Sequence, residues 1–169
     1  MDYINNTKNV SDLSIVTTNP YDEIVPNLHL GGIKALDNYK NDYNTESLIF
    51  YMVVDLIKYS NMSNGNMESM EIFEKYINLP VHDSPDECDN LLKMINETQV
   101  LEKIHHALQQ NKPVLVHCFA GMQRSCALVA CYLIKYYDFT PQTAIYFIKS
   151  KRHIAFFGKV NFMDTINKI

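Results

Sequence analysis

Three patterns follow one another without a gap near the middle of the chain. Val114-Leu115-Val116 is a short apolar run of strand character, preceded by the helix-stopping pair Lys112-Pro113. His117-Cys118-Phe119-Ala120-Gly121-Met122-Gln123-Arg124-Ser125 is a tight loop, and Ser125 to Tyr137 is apolar and helical. A buried strand that feeds a short loop and then a buried helix belongs inside a sheet with helices packed on it. The loop must then lie beyond the carboxyl end of its strand, where α/β domains place their ligand-binding loops.

The rest of the chain repeats that alternation. Ile24 to Leu30 alternates and ends in Gly31-Gly32, which predicts a short strand and a turn. Ile33 to Tyr39 suits a brief helix. Leu48 to Val54 is a continuous apolar run, as expected of a strand buried on both faces. Tyr59 to Ser69 reads as an exposed loop, and Ile72 to Val81 as a strand closing at Pro80. His82 to Glu87 is a polar loop at the end of that strand. Leu91, Ile95, Leu101, Ile104 and Leu108 mark one face of a long helix. Thr140-Pro141 starts another, with threonine as N-cap and proline in the first turn. Ala144, Ile145, Phe147 and Ile148 form its inner face, and residues 162–169 suit a final turn or two. The first 20 residues, rich in Asn, Thr, Ser and Asp, read as a loose arm. The expectation is therefore an α/β fold: an arm over 1–20 and a single domain over 21–169, with a central, mostly parallel sheet flanked by helices.

Composition narrows the function classes. The 169 residues suit one domain with a sizeable core. A formal net charge of −4 gives no reason to expect nucleic acid or acidic lipid as a partner. The four cysteines, Cys88, Cys118, Cys126 and Cys131, form no Cys-x-x-Cys pair and match no zinc pattern. The amino terminus lacks the basic start and apolar run of a signal peptide, and no stretch is long enough to span a bilayer. Free thiols in a reducing compartment follow, with a cytoplasmic location expected and the nucleus allowed. The Asn-x-Ser/Thr triplets at Asn9, Asn61 and Asn96 are then chance matches.

The loop itself carries the chemistry. Cys118 precedes a helix beginning near Arg124, so the helix dipole and the loop amides favour a thiolate there. The same amides can cradle a phosphate dianion. Gly121 permits a tight turn with positive φ. Arg124 can hold two phosphate oxygens in a bidentate fork. Ser125 can donate to the cysteine sulfur and make it a better leaving group. Phe119, Ala120, Gly121, Met122 and Gln123, with Arg124, form the expected substrate-binding wall. His117 is expected to point into the core, supporting the loop through its ring. A departing oxygen needs a proton, and Asp83, in a strand-end loop, is the candidate acid; Asp86 and Glu87 are the fallbacks. No metal or cofactor is required by this scheme.

The His-Cys-x-Ala-Gly-x-x-Arg-Ser pattern resembles the signature of the cysteine-dependent protein tyrosine phosphatase superfamily, in particular its dual-specificity (VH1-like) branch. Pro26 to Gly31 looks like the family's opening strand, Leu79 to Asp83 like the strand and loop carrying the acid, and Ala130 to Ile134 like its Ala-Tyr-Leu helix. The resemblance runs from about Ile24 to the carboxyl terminus. Its small size is similar to that of catalytic-domain-only members, the poxviral ones included. It implies hydrolysis of phosphotyrosine and phosphoserine/phosphothreonine in proteins through a phosphocysteine, with Cys118, Arg124, Asp83 and Ser125 as the catalytic set. The chain departs from the pattern at Asp55, where asparagine is common, at Cys126, where alanine or glycine is common, and at Gly158-Lys159-Val160-Asn161-Phe162, where Pro-Asn is common. The polar arm differs from the helix that mediates dimers in poxviral relatives, and a homodimer stays open.

Other readings of the same motif remain. An RNA 5′-phosphatase or phosphoinositide phosphatase of the same fold would favour a second histidine with Arg-Thr, or lysines within the loop; the loop here is uncharged between its ends. A phosphopeptide-binding pseudophosphatase usually lacks the cysteine. A rhodanese-type sulfurtransferase lacks the Gly-x-x-Arg-Ser finish. Cys88, Cys126 and Cys131 read as packing residues, with a redox partnership to Cys118 through Cys88 or Cys126 as the alternative. Lys151-Arg152-His153 reads as a solvated helix end, the alternative being a reader of a second phosphate.

Overall fold

Pro26-Asn27 divides the first apolar stretch. Asn27 adopts φ 66°, and its N–H donates to Glu23 Oε1 at 2.8 Å. Where the sequence suggests one strand, the chain therefore makes a hairpin: β1, Tyr21–Val25, antiparallel to β2, Leu28–Gly31. The computed structural model describes residues 19–37, 49–59 and 73–169. Residues 1–18 of the expected arm, and all but Tyr59 of the expected loop at Tyr59 to Ser69, lie outside them.

Three further strands, β3 (Met52–Ile57), β4 (Lys75–Val81) and β5 (Val114–His117), complete a five-stranded sheet in the order β1-β2-β5-β3-β4. The β2–β5, β5–β3 and β3–β4 pairings are all parallel. The expected α/β domain with a mostly parallel sheet flanked by helices is thus the observed one. Central strands β2, β3 and β5 are buried throughout, whereas edge strand β4 carries exposed positions and tolerates Pro80. β3 starts later than its apolar run suggests. Ile49 is 72% exposed, and the sheet edge is set where the Tyr51 and Met52 amides both donate to Pro113 O.

The long helix read from Leu91 to Leu108 is two, α1 (Cys88–Thr98) and α2 (Val100–Gln109). Gln99 between them is left-handed at φ 52°, and Thr98 Oγ1 bonds back to Met94 O at 2.7 Å. The apolar stripe survives the break, since Leu91, Ile95, Leu101 and Ile104 are all buried. The brief helix after the hairpin is a single 3-10 turn, Ile33–Leu36; residues 38 and 39 lie outside the described ones. α3 (Arg124–Tyr137), α4 (Pro141–Lys151) and α5 (Met163–Asn167) follow, and Thr140 Oγ1 caps α4 by accepting from Thr143 N.

Alternation along the strands sends side chains to two cores. Leu28, Leu30, Met52, Val54, Val114 and Val116 pack with the helices in the larger one. Val53 and Leu115 face the other way, into a smaller cluster with Ala35, Phe50 and Phe73. α3 crosses the larger core and is buried from Ser125 to Leu133. Each fully buried leucine there, such as Leu128 or Leu133, contributes about 1.5–3 kcal/mol. Among the described residues no helix is long and apolar enough to cross a membrane.

Candidate active site

β5 ends at His117, and the chain then turns sharply over the ends of β2 and β3. Gly121 has φ +67°, and a Cβ on it would stand 2.5 Å from the Gly31 carbonyl carbon. No side chain fits that approach, so the glycine lets the loop press against the hairpin. Backbone bonds hold the loop from both sides: Cys118 N to Gly31 O at 3.4 Å, Ile33 N to Phe119 O at 3.0 Å, and Phe156 N to Met122 O at 2.7 Å. The Phe119, Gly121 and Met122 carbonyls are engaged, while the amides of residues 119–123 donate to no other backbone group among the described residues. The first turn of α3 carries no acidic residue. Amides without a backbone acceptor and a helix amino terminus without an acidic residue make the space over the loop a candidate anion site.

Cys118 lies below that space, 1% exposed, with its Sγ 3.2 Å from the buried Ser125 Oγ. Arg124 Nη1 donates to Leu56 O at 3.3 Å and Val81 O at 3.2 Å, the carbonyls at the ends of β3 and β4. This tether fixes the guanidinium plane. Nε is buried without a hydrogen-bond partner, 4.0 Å from Asp83 Oδ2. The Asp83 side chain is 39% exposed, and its Oδ1 accepts from Asn161 Nδ2 at 2.9 Å. The fallback acids are occupied elsewhere. Asp86 pairs with Ser84, and Glu87 accepts from Asn90, both at the start of α1. The structure thus brings Cys118, Ser125, Arg124 and Asp83 together and leaves Asp86 and Glu87 aside.

His117 is fully buried beneath the loop, its Nδ1 3.4 Å from Cys118 O and its Nε2 3.7 Å from Asp55 Oδ1. Burial holds the ring below the ordinary imidazole range, opposed by the Asp55 carboxylate. Asp55 accepts from Ile57 N at 2.8 Å, Tyr59 OH at 2.8 Å and Tyr76 OH at 2.6 Å. Burial first, and then Asp55, push both phenols well above their usual range, so both remain donors. Three donors satisfy a carboxylate where an amide would present its own N–H groups. Burial also pushes the Cys126 thiol well above its normal range and Cys131 up to about 12. Cys126 Sγ points at Gly121 O, 3.6 Å away, as a packing residue against the loop.

Sequence reasoning missed the supports contributed by the last third of the chain. Gln123 Nε2 donates to Phe157 O and Lys159 O, and its Oε1 accepts from Asn161 N at 3.1 Å. The tail therefore braces the loop even though Gly158 to Phe162 departs from the expected Pro-Asn. Arg152 is not part of a solvated helix end: it is 3% exposed, donating to Gly121 O, Asn19 O and Asp22 Oδ2. Asn161 joins the site through Asp83, 78 residues away, a pairing that no local pattern announces. Among the described residues no group of three His, Cys, Asp or Glu side chains gathers as a metal site.

Residues 35–169 match the family model of the dual specificity phosphatase catalytic domain. The chain is 28% identical over 133 residues to mouse dual specificity protein phosphatase 22, covering 79% of this chain and 65% of that protein. It is 30% identical over 134 residues to the candidate tyrosine phosphatase 123R of Invertebrate iridescent virus 6, covering 79% of this chain and 81% of that one. The chain thus spans just under two thirds of its mouse relative and most of the viral one. The crystal structure of human DUSP28 superposes with a TM-score of 0.67 at 21% identity, over 89% of this chain and 92% of that one, and shows the same fold.

Proposed function

This chain belongs to the dual-specificity phosphatase family, a family of protein phosphatases, and on that premise we propose that it hydrolyses phosphotyrosine and phosphoserine/phosphothreonine through a phosphocysteine intermediate. The observation that carries the reading is the tethered Arg124 beside Cys118 and Ser125 at the open amino terminus of α3.

The phosphate enters with its oxygens toward the loop amides and the free edge of the Arg124 fork. Cys118 Sγ attacks phosphorus as the bond to the substrate oxygen breaks. Asp83, protonated, gives its proton to that oxygen, and the alcohol or phenol leaves. Arg124, already held by two carbonyls, needs little reorganisation to follow the equatorial oxygens into the transition state. Water then attacks phosphorus, Asp83 takes its proton, and the S–P bond breaks. Ser125 donates to the departing sulfur from 3.2 Å, and inorganic phosphate leaves with Cys118 restored.

The uncharged side chains of Phe119, Ala120, Met122 and Gln123 favour phosphoproteins over polyanionic lipids or triphosphate RNA ends. The four free thiols suit a reducing cytoplasmic or nuclear setting. The test is a panel of phosphopeptides, phosphoinositides and triphosphate-ended RNA offered to purified protein. Phosphate release chiefly from peptides is expected. Faster release from lipid or RNA overturns the choice of substrate while keeping the chemistry.

A further inference from the structure

A groove opens beside the catalytic loop, lined by Gly32, Ile33, Phe119, Ala120, Met122 and Ile154. Its volume is about 390 Å³, and its walls are chiefly carbon. Phe119 and Ala120 belong at once to this groove and to the phosphate cradle, so the two spaces are continuous. Phe119 is 65% exposed although it follows a buried cysteine, so its ring is available to whatever enters the groove. Arg152 also borders the groove and would be the natural reader of a second phosphate. Its guanidinium is instead committed to Gly121 O, Asn19 O and the carboxylate of Asp22, 2.6 Å away. Arg152 is thereby withdrawn from the groove; Lys34, exposed, also borders it, and between them lie apolar walls that begin one residue of chain from the nucleophile.

We propose that this groove reads the substrate: it takes an aliphatic side chain, leucine, isoleucine or methionine, within two residues of the phosphoresidue. The proposal rests on the phosphoprotein reading above and names the sequence context that reading leaves open. Two residues of extended peptide reach about 7 Å, enough to carry a side chain from the cradle into the groove. An aliphatic side chain that enters sheds its water against walls that are chiefly carbon. A well-filled apolar pocket discriminates by about 10–200-fold for small changes in the side chain.

The experiment measures kcat/KM for phosphotyrosine peptides with alanine flanks in which one leucine is moved through the two positions on either side. The wild-type enzyme should prefer leucine about tenfold over alanine at one position, and over phosphoserine and glutamate there as well. Ile154→Thr and Ile154→Ala, at a half-buried wall of the groove, should each erase most of that preference. Both should leave hydrolysis of a small aryl phosphate unchanged, which also shows that they are folded. Equal rates for leucine and alanine at every position, alongside normal aryl phosphate turnover, overturn the groove and leave the chemistry standing. A preference for phosphoserine at the flank overturns it equally. No turnover of any peptide or aryl phosphate by the wild-type protein instead overturns the phosphatase reading itself.

Discussion

The two sides of the catalytic cleft are built differently. The nucleophile side is one unbroken strand–loop–helix: Cys118 and Ser125 are seven residues apart, both buried, and locked by a glycine contact that admits no side chain. The acid side is assembled from afar. Asp83 comes from the end of an edge strand, stands partly in solvent, and is held by Asn161 from the far end of the sequence. The first side is rigid because everything that shapes it is packed. The second can move because a few exposed bonds hold it. Under the proposed mechanism the contrast is a division of labour: the buried side would bind and attack, and the exposed side would deliver and retrieve a proton.

The strongest blow to that contrast is Cys118→Ser. Turnover should fall by about 10⁶-fold while phosphopeptide binding persists, measured by phosphate release and by calorimetric titration. Residual turnover near the wild-type level would remove Cys118 from the centre of the scheme. Arg124→Lys should lower kcat/KM by about 10³-fold for every substrate, since an ammonium cannot be clamped by Leu56 and Val81 and still present a fork. A loss confined to poor leaving groups would place the arginine on the acid side instead. Asp83→Asn should cost about 10²-fold for alkyl phosphates and far less for nitrophenyl phosphate, because only the former need the proton. Equal losses for both would take the acid role from Asp83.

Asn161→Ala should copy the leaving-group dependence of Asp83→Asn at about a tenth of its size, acting by loosening the acid. The variant removes the Nδ2 bond to Asp83 and keeps the backbone N–H that bonds Gln123, so an effect independent of the leaving group would take the positioning role from Asn161. The smallest effect is on stability and belongs to the buried side. Desolvation holds His117 below the ordinary value of 6.5, so the unfolded chain takes up a proton that the folded one refuses. Stability should therefore decline as pH falls below about 6.5. His117→Gln should flatten that slope in urea titrations at several pH values; an unchanged slope would contradict a neutral buried ring.

The sequence was legible where function and local structure share the same residues. The strand, loop and helix from Val114 to Tyr137 could be read because their apolar pattern is continuous and the chemistry lies between them. Asp83 could be located because polar residues abruptly follow an apolar strand. The hairpin at Asn27 and the break at Gln99 were hidden because each depends on one residue taking a left-handed conformation where the apolar pattern resumes on the far side. Asn161, Gln123 and Arg152 were hidden for another reason. Their partners are distant in sequence, and a glutamine or arginine on paper looks the same whether it faces water or a carbonyl.

Arg152 has a consequence for how the molecule comes apart. Its guanidinium fastens Asn19 and Asp22 beside the opening strand, Gly121 in the catalytic loop, and its own segment after α4. Three stretches that would otherwise fray independently are made to share one opening event. In hydrogen–deuterium exchange the amides of Tyr21–Val25 should trade at the same rate as those flanking Gly121, and Arg152→Met should split them into two rates. On that expectation, the loop that carries Cys118 and the opening strand would come apart together, through one side chain.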